Sequence, residues 1–156
     1  MSRTHSTLLA FCLATAVAGC ASTTATDTTQ AAPKADAALD AAIAGSWRDA
    51  ANVARDQYRH PRETLAFFQL AAGQRVIEIS PSGGWYSEIL APYLRDGGHY
   101  VAATAAAPAD SGGGKRNATL QAKFAAEPTR YDRVEWLEYD GKAPVLCAPA
   151  SADAVL

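Results

Sequence analysis

The run Arg75-Val76-Ile77-Glu78-Ile79-Ser80-Pro81-Ser82-Gly83-Gly84-Trp85 constrains this chain more than any other stretch. A short apolar segment carries an acid near its end and breaks at a Pro/Ser/Gly turn. A segment with helical spacing, Trp85 to Leu94, follows at once, with Tyr86, Ile89, Leu90, Tyr93 and Leu94 on one face. The predicted unit is strand Arg75–Ser80, tight turn, helix. Such a turn offers backbone N–H groups to a ligand, and Glu78 faces the same spot from the strand end, a geometry that cradles nucleotide-like molecules. A lone unit of this kind also occurs in α/β proteins that bind nothing there, and Glu78 then reads as a helix-dipole or salt-bridge partner.

The rest of the chain repeats the alternation. Strand His99–Ala103 precedes a Pro/Asp/Gly-rich loop, Ala107–Gly114, and a helix Lys115–Ala126 carrying Leu120 and Phe124. Strands Arg133–Leu137 and Asp153–Leu156 follow. Alternating strands and helices predict an α/β fold with a doubly wound, Rossmann-like parallel sheet. Its fourth strand stops at Leu156, so the sheet is expected to be incomplete at the C-terminus, with an exposed apolar edge. Short helices precede the sheet. Leu39 and Ile43 form one stripe. Ser46 is expected to cap a second helix, with Trp47, Ala50, Ala51 and Ala54 on one face and Arg48, Asp49, Arg55 and Asp56 on the other. His60-Pro61 breaks it, and a third helix from Pro61, with Leu65 and Phe68 inward, is expected to end at Gly73. Pro92 should kink the helix after the turn, and Gly97-Gly98 should end it.

The start of the chain reads as an export signal. Arg3 and His5 precede an apolar stretch, Leu8 to Val17, which is short for a bilayer span. It closes on Val17-Ala18-Gly19-Cys20, which resembles the lipobox of bacterial lipoproteins, in which the cysteine is acylated. The expected division is a signal over 1–19, a flexible tether over 20–37 and a folded part over 38–156. The implied location is the periplasmic face of a bacterial envelope, held to the membrane by lipid on Cys20. An ordinary secretory signal is the alternative. With Cys12 removed and Cys20 acylated, Cys147 has no disulfide partner and reads as a partly buried apolar residue. The net charge is −2 and basic side chains do not cluster with aromatics, so nucleic acid is not an expected partner. His5, His60 and His99 show no metal-ligand spacing, and no Gly-x-Ser-x-Gly elbow marks Ser82 or Ser87 as a nucleophile.

Two stretches carry a family resemblance: Arg59-His60-Pro61-Arg62-Glu63-Thr64-Leu65-Ala66-Phe67-Phe68, and Glu78-Ile79-Ser80-Pro81-Ser82-Gly83-Gly84-Trp85-Tyr86-Ser87-Glu88-Ile89-Leu90. Over roughly residues 46–156 the chain resembles class I S-adenosylmethionine-dependent methyltransferases, and more narrowly a group of exported, predicted bacterial methyltransferases. The resemblance implies methyl transfer from S-adenosylmethionine to an acceptor that it does not name, with no general base identified. It implies cofactor binding by Glu78, Ser80, Pro81, Ser82, Gly83 and Gly84, with Glu78 near the amino or carboxypropyl end. Arg59 and His60 read equally as pocket lining or as helix caps, and Trp85 and Tyr86 read as core. The sequence departs from the broad pattern at Ser80 and Ser82, where Gly is usual. It departs again at the end of the second strand, which has no ribose-binding acid. Asp110 and Asp140 are the acids downstream. These departures, with the stop at Leu156, frame the alternative of a non-catalytic envelope lipoprotein with a degenerate methyltransferase-like fold. An oxidoreductase module is a further alternative, opposed by the absence of Gly-x-Gly-x-x-Gly spacing.

Overall fold

The structure, a computed structural model, describes residues 36–156. The expected signal, Cys20 and nearly all of the expected tether lie outside the described residues. Four strands form one all-parallel sheet in the order β3-β2-β1-β4. They are β1 (Arg75–Ile79), β2 (His99–Ala105), β3 (Glu135–Tyr139) and β4 (Ala154–Val155). The chain winds outward from β1 through β2 to β3, then returns to place β4 on the other side of β1. This is the Rossmann-like α/β arrangement, and the reversal of direction falls between β1 and β4.

The strand sequences explain the burial. Parallel strands in mid-sheet are covered on both faces and read as continuous apolar runs. Val76, Ile77 and Val101 to Ala103 are accordingly fully buried. Side chains alternate between the faces. Val76 lies opposite Tyr100 and Glu78 opposite Ala102, on the face that packs against the helices. Ile77, Val101 and Ala103 form a second, smaller core on the far face. There the cover is the irregular β3–β4 connection, through Leu146, half-buried Cys147 and Ala152. Val155 on edge strand β4 is exposed.

The helices are α1 (Ala37–Ile43), α2 (Ala50–Val53), α3 (Asp56–Arg59), α4 (Pro61–Phe67), α5 (Ser87–Leu94), α6 (Gly112–Ala125) and α7 (Pro128–Tyr131). The second helix differs from expectation. Its cap is Asp49, which accepts from Ala51 N–H at 2.8 Å, not Ser46. Arg48 does not face solvent: it is buried, bidentate to Asp56 at 2.6 and 2.8 Å, and bonded to Ile43 O. A planar guanidinium fork tolerates burial when a carboxylate matches it. That pairing draws Arg48 and Asp56 inward and divides the segment into α2 and α3.

Helix α4 ends at Phe67, not at Gly73, and Phe68 is half exposed where an inward side chain was expected. Gln69 takes a left-handed φ of 55°. Leu70 N–H bonds Leu65 O and Gln69 N–H bonds Ala66 O, which is the Schellman closure. Buried Leu70 takes the inward role expected of Phe68. Because glycine has no penalty in that conformation, Gln69→Gly is expected to stabilise the domain by roughly 0.5–1 kcal/mol in urea unfolding.

Helix α5 holds Pro92 in its interior. Proline has no N–H to return to the carbonyl of Glu88, four residues earlier. The Trp47 indole N–H donates to that carbonyl instead, at 2.9 Å. Trp47→Phe keeps the ring and removes the donor. It is expected to cost about 1–3 kcal/mol, the penalty for a buried orphan carbonyl, read as a lowered urea midpoint.

Smaller differences concern boundaries. The helix expected from Lys115 starts at Gly112, because Ser111 Oγ accepts from Gly114 N–H at 3.0 Å. Strand β2 extends to Ala105, β3 sits two residues later than expected, and β4 is limited to two residues. Helix α7 was not foreseen. Its Tyr131 stacks on Phe124 with ring centroids 4.1 Å apart.

Candidate functional site

The crevice at the carboxyl ends of β1 and β4 has a volume of about 360 Å³. Open α/β sheets bind ligands at such a point, where strand order reverses and no crossover covers the strand ends. The turn between β1 and α5 forms one wall. Ser80, Ser82 and Gly84 all have positive φ, at 56°, 51° and 76°. The two serines thus occupy the left-handed conformation that favours glycine. Each stores about 1–2 kcal/mol of backbone strain. Anchors on both sides hold the turn. Ser80 N–H donates to Ala103 O at 2.8 Å, and Gly84 N–H donates to Pro81 O at 2.8 Å. Asn52 Nδ2 donates to Gly83 O at 3.2 Å. Among the described residues, Ser82 and Gly83 N–H take no intrachain acceptor. Gly84 is there for packing. A Cβ on it would stand 2.7 Å from Leu120 Cδ1, so its absence lets α6 close on the turn.

Glu78 lies under this turn and is nearly fully buried. Its Oε2 accepts from Ser87 Oγ at 2.8 Å and from the Tyr100 hydroxyl, and Tyr100 also reaches Ser87 Oγ at 2.7 Å. Burial, opposed by these two hydrogen bonds, raises the Glu78 pKa above its ordinary value. Burial first, then the Glu78 charge, pushes the Tyr100 phenol well up, so it remains a donor. Oε2 is the engaged oxygen, Oε1 makes no hydrogen bond among the described residues, and Glu78 lines the crevice.

Two cations complete the crevice. Arg55 and Arg59 line it, and the Arg59 guanidinium stands 4.8 Å from the centroid of the Trp85 ring. Trp85 is buried, and its indole N–H is held by Asn52 O at 2.9 Å and Asp56 Oδ1 at 3.0 Å. It is a rigid base for Arg59 and part of the core.

Of the residues singled out in the sequence, the fold brings Glu78, Ser80, Pro81, Ser82 and Gly83 to the crevice, with Arg59 and Tyr86. Gly84 lies behind the turn. His60 does not line the crevice. It is the left-handed hinge (φ 43°) between α3 and α4. Asp110 and Asp140 do not reach it either, and Asp140 caps its own turn through Lys142 N–H at 2.9 Å. No acid stands at the end of β2, where Thr104 is buried. Sequence reasoning missed Arg55, which the break between α2 and α3 turns toward the crevice. It also missed Ser87 and Tyr100. The alternation of β2 was the available signal for Tyr100, since it places Tyr100 on the Glu78 face. Among the described residues no cluster of His, Cys, Asp and Glu suits a metal ion.

Comparison of the chain with family models, with curated proteins and with solved structures gave no match.

Proposed function

We propose that the crevice binds the amino-acid end of S-adenosylmethionine and that the protein transfers its methyl group to an acceptor, at the envelope surface to which lipid on Cys20 would hold it. The observation that carries this reading is that a carboxyl group and two guanidinium groups line one crevice at the switch point: Glu78, with Arg55 and Arg59. An α-amino acid group needs both, an acceptor for its ammonium and cations for its carboxylate. The free N–H groups of Ser82 and Gly83 add donors for the carboxylate. The bound cofactor supplies an electrophilic methyl on a sulfonium. The chain's own contribution is to bind and orient, with Ser87 and Tyr100 fixing the Glu78 carboxyl and Trp85 fixing Arg59.

The ribose end fits less well, because no carboxylate stands at the end of β2. That observation favours a second reading, an envelope lipoprotein that has kept the fold without the chemistry. Calorimetric titration of S-adenosylmethionine into the full chain separates the two, with a nicotinamide dinucleotide as control. Saturable binding, weakened about tenfold by Glu78→Gln through loss of a charge-assisted hydrogen bond, is the expected result. A folded protein that takes up neither ligand would leave the second reading standing.

A further inference from the structure

A second cavity, of about 320 Å³, lies across the Ser82–Gly83 turn from the crevice. One side of α6 forms its wall. Lys115, Thr119 and Lys123 are spaced by four and share one stripe of the helix, and Arg116 on the adjoining stripe borders the same cavity. Buried Leu120 supplies an apolar surface, and Ser82, Gly83 and Asp49 complete the lining. The cavity has this shape because Gly84 admits Leu120 to the turn.

Its charges are not balanced internally. Lys123 is paired with Glu88, whose side chain is fully buried. Asp49 is occupied in capping α2, and its N–H donates to Glu88 Oε2 at 3.1 Å. Among the described residues, Lys115 and Arg116 make no ion pair. The groove therefore presents two uncommitted cations beside a leucine, in a chain whose net charge is −2. Thr119 adds a methyl group, its hydroxyl being turned back to Lys115 O at 2.8 Å. Lys115 and Arg116 are solvent-exposed and border this concavity beside buried Leu120, and a concave surface with an apolar part and a few placed polar groups is the form small-molecule sites take.

We propose that this groove is a ligand site of its own, for a small molecule that joins an oxyanion, carboxylate or phosphate, to an apolar body. Arg116 and Lys115 hold the oxyanion, and Leu120 with the Thr119 methyl meets the body. The site shares the Ser82–Gly83 turn with the crevice as a common wall, but its cations are not those of the crevice.

The test is an NMR titration of the full chain with benzoate and with phenyl phosphate. Inorganic phosphate and vesicles containing phosphatidylglycerol serve as the other sources of the same chemistry. Saturable binding of either aromatic anion is expected, weakened at least tenfold by Arg116→Gln and by Lys115→Gln and unchanged by Arg59→Gln, with circular dichroism showing the variants folded. Equal weakening by Arg59→Gln would move the anion to the crevice and overturn the proposal. So would failure of the aromatic anions to saturate, or binding that Arg116→Gln leaves intact. Inorganic phosphate binding as tightly as phenyl phosphate would remove the apolar body from the site. Binding to the vesicles alone would assign the basic face to a membrane surface.

Discussion

Replacing Lys123 by Met is expected to destabilise the domain by about 3 kcal/mol, because it leaves the Glu88 carboxylate buried without a counter-charge. Glu88 lies inside α5, its side chain fully enclosed, and Lys123 reaches it from α6. The remaining partner is the Asp49 N–H at 3.1 Å, which offsets only a small part of the desolvation of a full charge. Met fills the volume of the lysine stem, so packing is largely kept and the loss reports on charge. Adding Glu88→Gln should recover most of the loss, since the amide still accepts from Asp49 and carries no charge. Urea unfolding of the two single variants and the double variant gives the coupling directly. A Lys123→Met protein as stable as the parent would mean that Glu88 does not depend on the lysine, and the account of this pair would be wrong.

The second large effect concerns Glu78. Its folded-state pKa is raised above the ordinary 4.5, chiefly by burial. The folded state therefore binds the proton more tightly than the unfolded chain does. Stability is fully present below the unfolded pKa and declines as pH rises from there through the folded pKa, because the unfolded state has already released the proton. Glu78→Gln keeps an acceptor for Ser87 and Tyr100 and removes the titration. Its stability relative to the parent should thus increase as pH rises from about 4.5 through the raised folded-state pKa, with the two nearly equal at lower pH. The same substitution should weaken binding of a cationic amine in the crevice. An opposite trend, with the parent gaining on the variant as pH rises, would show that the carboxylate is stabilised in the fold. Burial would then not be the dominant influence on Glu78.

Together the two acids show how one helix can carry different electrostatics. Glu88 and Ser87 are adjacent and both are fully buried. Glu88 points toward α6 and meets a cation, and Ser87 points toward the sheet and meets a carboxyl that has none. A buried carboxyl without a cation, at the wall of a cavity, is a poor contributor to stability and a good candidate for recognition of a positively charged group.

Much of the framework was legible because its signals are local. The strand–turn–helix unit at residues 75–94 and the alternation beyond it rest on periodicity and on turn residues. These positioned β1, α5, β2 and α6 within a few residues. Glu78 and Ser80–Gly83 were legible as site residues for the same reason, since the turn that exposes them is encoded by Pro81, Gly83 and Gly84 themselves. Arg55 was hidden because its orientation depends on where α2 stops, and that depends on Arg48 reaching Asp56 and on Asp56 meeting Trp85, 29 residues away in sequence. The inward role expected of Phe68 fell to Leu70, because a left-handed Gln69 closes the helix where no glycine marks the spot.

By itself the sequence determined the α/β class, the place of the turn and the residues offered to a ligand there, because period, proline and glycine act within a few positions of themselves. Tertiary structure alone decided which charges meet. It set Glu88 against Lys123, Arg48 against Asp56 and Glu78 against Tyr100 rather than a cation. Coulomb energies in a buried site depend on distances of a few ångströms and on the water excluded around them, and neither is written in the order of the residues.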